Sequence, residues 1–159
     1  EGKEMRDILI LKIPIIGNLL REVYLSRFSE NLSTLIKGGL PIIQSLQVTG
    51  DVVGNIVYKK IINMAIDEIK GGGNVSDVLS RYPAAFPQFV SQMSATGEKT
   101  GKLAQVLESV SRFYQKEVET ITNNLTQLIE PILIVVLGIG VGLLVVSILM
   151  PIYNIASGF

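Results

Sequence analysis

The chain has 159 residues, with fourteen Lys and Arg balanced by fourteen Asp and Glu, and it contains no His, Cys or Trp. A zero formal charge offers no basic excess for nucleic acid. Without Cys there is neither a disulfide frame nor a thiolate metal site, and without His the commonest general base and metal ligand are missing.

Lys3 to Ile16 mix apolar and basic side chains, with Ile8, Leu9, Ile10 and Leu11 in a row. This stretch is too short to span a bilayer and reads as a membrane-proximal lead-in, residues 1–16. Leu25, Phe28, Leu32 and Leu35 then step by three and four, the spacing of one helical face. They predict a helix from about Asn18 to Lys37 that stops at Gly38-Gly39, where glycine can take the left-handed cap conformation. Pro41 suits the first turn of a second helix, Ile42 to about Thr49. Tyr58, Ile62, Ala65, Ile66 and Ile69 mark the apolar side of a third, while Lys59, Lys60, Asn63, Asp67 and Lys70 make its solvated side.

Gly71-Gly72-Gly73 ends that helix. It is not a phosphate loop, because the Lys-Ser/Thr that such a loop needs is absent and no strand precedes it. Asn74 is a good N-cap for a short helix through Arg81, closed by Tyr82-Pro83. Pro87 starts a fifth helix to about Thr96, and Gly97-Glu98-Lys99-Thr100-Gly101 reads as a tight connector. From Lys102 a sixth helix carries Leu103, Val106, Leu107, Val110, Tyr114, Val118, Ile121, Leu125 and Leu128 on one face.

Glu130 is the last charged residue, and twenty-nine uncharged residues follow it. Pro131 to Met150 is a run of twenty in which Ser147 is the single polar side chain. At a rise of ~1.5 Å per residue the run covers ~30 Å, about the hydrocarbon thickness of a bilayer. It predicts a transmembrane helix. All the Lys and Arg precede it, which puts the bulk of the chain on the cytoplasmic side and the short tail outside. The expected fold is therefore all-α, a six-helix cytoplasmic bundle over residues 17–124, a transmembrane helix over 125–153 and an extracytoplasmic tail over 154–159. Helix six has no Pro or Gly before Pro131, so it is expected to run into the membrane as one rod.

Few residues carry candidate chemistry. Glu98 reads either as a partner contact or ion ligand or, more simply, as an acid beside the N-terminus of helix six, where the dipole favours negative charge. Glu130, beside Pro131, can pair with a basic residue of a neighbouring span or reach toward water. Gly138 and Gly142 form a Gly-x-x-x-Gly pair that lets two spans approach closely, which suits self-association or docking on another span; the simpler reading is a lipid-facing helix. Lys59, Lys60 and Lys70 form an exposed basic face suited to a partner. Ser and Thr have no His to activate them, and Asp67-Glu68 are adjacent and point to different sides of a helix. The sequence predicts no catalytic residue, no cofactor and no metal site.

The order of these features resembles a known family. Arg27-Phe28 with Leu32, Leu35 and Gly39-Leu40-Pro41 is followed by Gly72-Gly73-Asn74-Val75-Ser76. Phe86-Pro87 leads to Met93 and Gly97-Glu98-Lys99-Thr100-Gly101-Lys102-Leu103; Phe113-Tyr114 and Glu117-Val118 lead to Glu130-Pro131, a glycine-spaced span and Pro151-Ile152. Together they resemble the inner-membrane platform proteins of type IV pilus and type II secretion machines, the family often called PilC or GspF. Members resemble two copies of a six-helix cytoplasmic domain with three spans in all. By that resemblance this chain is the second copy and the last span, a C-terminal part of a multi-pass protein of the bacterial inner membrane. The resemblance implies a non-catalytic role, coupling a cytoplasmic assembly ATPase to pilin or pseudopilin subunits among other inner-membrane assembly proteins. It carries Gly97, Glu98 and Gly101 over as a family-typical loop and Glu130-Pro131 as a family-typical hinge. A tail-anchored helical adaptor, such as a membrane-permeability regulator, is the alternative that the same plan allows.

Overall fold

The computed structural model describes residues 14–156, all of them in helices or the turns between them. The leading residues 1–13 and the last three residues of the expected tail lie outside the described residues. There are six helices: α1 (Pro14–Lys37), α2 (Ile42–Val52), α3 (Ile56–Lys70), α4 (Val75–Ser80), α5 (Gln88–Thr100) and α6 (Leu103–Ala156). Among the described residues there is no strand.

The chain divides into two compact units, Glu1–Glu119 and Thr120–Phe159, and α6 contributes residues to both. In the first, the predicted apolar faces meet. Leu25, Phe28 and Leu32 of α1, Leu46 of α2, Tyr58, Ile61, Ile62, Ala65 and Ile66 of α3, and Leu107 and Val110 of α6 are all buried. Covering a side chain of this size contributes roughly 1.5–3 kcal/mol. The centre is aromatic. The rings of Phe28 and Phe86 meet edge to face at 5.0 Å, and Tyr58 meets Phe86 at 5.2 Å. The Tyr58 hydroxyl donates to the Ala85 carbonyl at 2.9 Å, which satisfies the one polar atom on that ring.

Three expected boundaries move. Helix α1 starts at Pro14 rather than about Asn18, with proline at its first position, where a missing N–H costs nothing. Helix α2 runs on to Val52. Helix α5 runs to Thr100, so Gly97 to Thr100 are its last turn and not a connector. The N-cap of α3 is Asn55, whose side chain accepts from the N–H groups of Val57 at 2.8 Å and Tyr58 at 3.3 Å.

Helices α1, α3 and α5 end in the same way. Leu40 N–H donates to the Leu35 carbonyl at 3.1 Å, Gly73 N–H to Glu68 at 2.9 Å and Lys102 N–H to Gly97 at 2.9 Å. Each of these bonds crosses a glycine with positive φ: Gly39, Gly72 and Gly101. This six-to-one closure takes up carbonyls that a helix end would leave unpaired.

The second unit is a different material. From Ile132 to Ile152 its large apolar side chains are exposed, Leu137 at 65% and Met150 at 67%. It carries Pro131 and Pro151 within the helix. Its helix is the one among the described residues that is long and apolar enough to cross a membrane.

Candidate functional site

The turn between α5 and α6 holds the residues that the sequence marks most sharply. Gly101, at φ 68°, closes α5 in the left-handed region. Gly97 is buried in the last turn, facing the start of α6. A Cβ there would lie 2.7 Å from Leu103 Cα, and backbone cannot step aside as a side chain can. Gly97 is thus what lets the two helices meet at this corner, and Leu103 is the buried residue that fills it.

Glu98 points elsewhere than expected. It sits in the last turn of α5, not beside the N-terminus of α6. Its carboxylate accepts from the Val75 N–H at 2.6 Å, the Ser76 N–H at 3.2 Å and the Ser76 hydroxyl at 2.5 Å. These are the first N–H groups of α4. The acid therefore complements a helix N-terminus, as the electrostatic argument requires, but that of a different helix. Asn74 occupies the N-cap position of α4 without capping it. Its amide donates to Asp77 Oδ2 at 3.2 Å. A side chain twenty-two or more residues away supplies the cap in its place. Ser76 is the partner that sequence reasoning missed; a Ser two places after an N-cap Asn carries no signal of a distant acid.

Gly97, Glu98 and Gly101 also line an open groove of about 640 Å³. Its floor includes the half-buried Ile36, Ile42 and Ile69 with Leu103, and its rim carries Lys37 and Lys102. The end of α1, the start of α2 and the α3–α4 and α5–α6 turns contribute to it.

The three lysines of α3 lie on its exposed side. Lys59 pairs with Asp51 at 2.7 Å and Lys70 with Asp67 at 3.7 Å, so part of that basic face is already matched by local acids. Exposed pairs of this kind contribute little to stability. Glu130, Pro131, Gly138 and Gly142 belong to the second unit and are exposed; a Cβ at either glycine would meet nothing within 4 Å.

Burial acts on a second cluster, which the sequence did not single out. Glu22 on α1 is mostly buried, and burial raises its carboxyl above the usual range. Arg21, at 3.7 Å, opposes that shift and the Glu117 charge adds to it. Burial likewise pushes the Tyr114 hydroxyl up to about 12, with Glu22 next in effect, and raises that of Tyr58. On the outer side of the α1–α6 seam, the hydrogen bond and charge of Lys37, 2.6 Å away, hold Glu108 below its ordinary range. Among the described residues no three acids gather closely enough to hold a metal ion.

Comparison with known proteins agrees with the resemblance carried by the corner and the span. Residues 28–151 match the family described as Type II secretion system (T2SS), protein F. The chain is 37% identical over 155 residues to a type IV pilus assembly protein PilC of Thermus thermophilus, covering 98% of this chain and 38% of the relative. To the protein of the same name in Pseudomonas aeruginosa it is 34% identical, over 98% of this chain and 42% of the relative. A type II secretion system protein F of Pseudomonas aeruginosa is 26% identical over 92% of this chain and 36% of its own length. The chain thus spans about two fifths of the length of these relatives.

Proposed function

The chain belongs to the type II secretion system protein F family, and from that membership we propose that it acts as part of an inner-membrane platform for filament assembly. The observation that carries the reading is the join of two features in one helix. Helix α6 buries Leu103, Leu107, Val110 and Tyr114 in the bundle, and its later residues are long and apolar enough to cross a membrane.

In this reading the bundle is cytoplasmic, the span lies in the inner membrane and the tail is outside. The platform catalyses nothing. A cytoplasmic assembly ATPase moves the bundle, and α6 passes that motion to the span, beside which pilin or pseudopilin subunits leave the membrane. The polypeptide supplies what such a part needs: a packed head, a helix shared by head and span, and no nucleophile–base pair in its sequence. Gly138 and Gly142 would face a second copy or another span, and Glu130-Pro131 would adjust the helix at the membrane boundary. The names of its relatives speak for pilus assembly and for secretion alike.

The test is a crosslinked purification of the full-length protein from solubilised membranes, read by mass spectrometry. Recovery of a hexameric ATPase together with pilin-like subunits supports the platform. Recovery of permeability or signalling proteins alone would replace it with the tail-anchored adaptor.

A further inference from the structure

We infer that the groove at the α5–α6 corner is a docking site for an acidic amphipathic helix of a partner protein. The end of α1, the start of α2 and the α3–α4 and α5–α6 turns meet there, and they leave Ile36, Ile42 and Ile69 only half covered around a space of about 640 Å³. Half-buried isoleucines from three helices in one groove are an apolar floor, which suits side chains placed at i, i+3, i+4 and i+7 of a docking helix. At about 640 Å³ the groove has the volume of sites that hold a ligand. Its polar lining is Asn74, whose amide is bonded to Asp77, with Gln105, Glu98, Lys37 and Lys102. Its one carboxylate, Glu98, already has both oxygens engaged by Val75 and Ser76.

Charge decides the occupant. With Glu98 committed, the charged groups left on the rim are Lys37 and Lys102. Lys37 is paired with Glu108. Lys102, and Lys99 one turn back on the same corner, are exposed, and neither has an acid within ion-pair distance among the described residues. The first turn of α6, which also lines the groove, contains no acid to complement its N–H groups. The Leu35, Glu68 and Gly97 carbonyls at the ends of α1, α3 and α5, which would favour a cation, are taken up by the glycine closures. The groove is therefore apolar in its floor, with two unpaired cations, Lys99 and Lys102, at its α5–α6 edge. A partner helix with leucine-like anchors and carboxylates along its flanks complements both, and a basic one does not. This chemistry is the same whichever machine the chain serves.

The test uses the full chain in nanodiscs, with empty nanodiscs as the blank. The probe is a labelled peptide of about four helical turns, with Leu at the anchor spacing and Glu elsewhere, and its counterpart has Lys for every Glu. Anisotropy should show saturable binding of the acidic peptide, weakened by salt, and weaker or no binding of the basic one. Lys99→Glu combined with Lys102→Glu should reverse the preference, with at least about a tenfold loss for the acidic peptide. Gln105→Trp, at the exposed rim, should block both peptides. Unchanged helix content and melting show that the variants fold. Equal binding of the two peptides, no saturable binding at millimolar concentration, or indifference to the charge reversal would overturn the inference.

Discussion

The two units handle the same apolar side chains in opposite ways. In the bundle, Leu107 and Val110 of α6 are fully covered by protein, while Gln105, Ser109 and Arg112 of the same turns face solvent. In the second unit every described large side chain from Ile132 to Ile152 is at least 47% exposed, on all sides of the helix. A stripe is what a helix needs to pack on a protein; an all-round coat is what it needs in lipid. One helix thus carries two solvents' worth of patterning, and the change falls within a few turns of Glu119.

The largest expected effect comes from placing one charge in each region. Val141→Arg, in the middle of the apolar run, should cost about 2.5–3.5 kcal/mol of insertion, read as loss of protein from the carbonate-resistant membrane fraction. Val48→Arg, on the exposed side of α2, should stay within about 0.5 kcal/mol in thermal melting. Equal tolerance at the two positions would erase the distinction.

Glycines provide a sharper contrast. Gly97→Ala forces a Cβ against the Leu103 backbone and should destabilise the bundle by about 1–3 kcal/mol, lowering its melting temperature by several degrees. Gly142→Ala meets nothing within 4 Å and should leave bundle melting unchanged. The acids follow. Glu98→Ala leaves the first N–H groups of α4 without their acceptor and should cost about 1–3 kcal/mol, with faster hydrogen exchange at Val75 and Ser76. Glu130→Gln, on the exposed side of the second unit, should not affect melting.

The smallest effect is one of pH. Burial raises Glu22 in the folded state, so the native bundle holds that proton more tightly than the unfolded chain does. The contribution is fully present below the unfolded carboxyl pKa and is lost as pH rises through the raised folded value. Glu22→Gln should therefore flatten melting temperature against pH in that interval and match or exceed the wild type above it.

How far the sequence could be read depended on how local the cause was. Helix order, the glycine stops and the span are local, since periodicity and a missing charge are written in neighbouring residues. Gly97 misled because a glycine followed by a charged pair reads as a connector; the helix keeps it because a larger residue would collide with Leu103. The need of Glu98 for a helix N-terminus was legible, but which helix was not, because α4 lies in a part of the chain that only folding brings near. The α1 start at Pro14 was hidden by an apolar-basic stretch with no clear period. The groove was invisible for the same reason as the Glu98 cap: its isoleucines come from three helices and share no spacing.

The most direct test of the proposed role is to insert several glycines after Asn123 in the full-length protein in its native host, breaking α6 between its bundle residues and its apolar run. If α6 passes motion from head to span, filaments should disappear while the protein stays in the membrane at its normal level. Normal filaments from that variant would contradict the account.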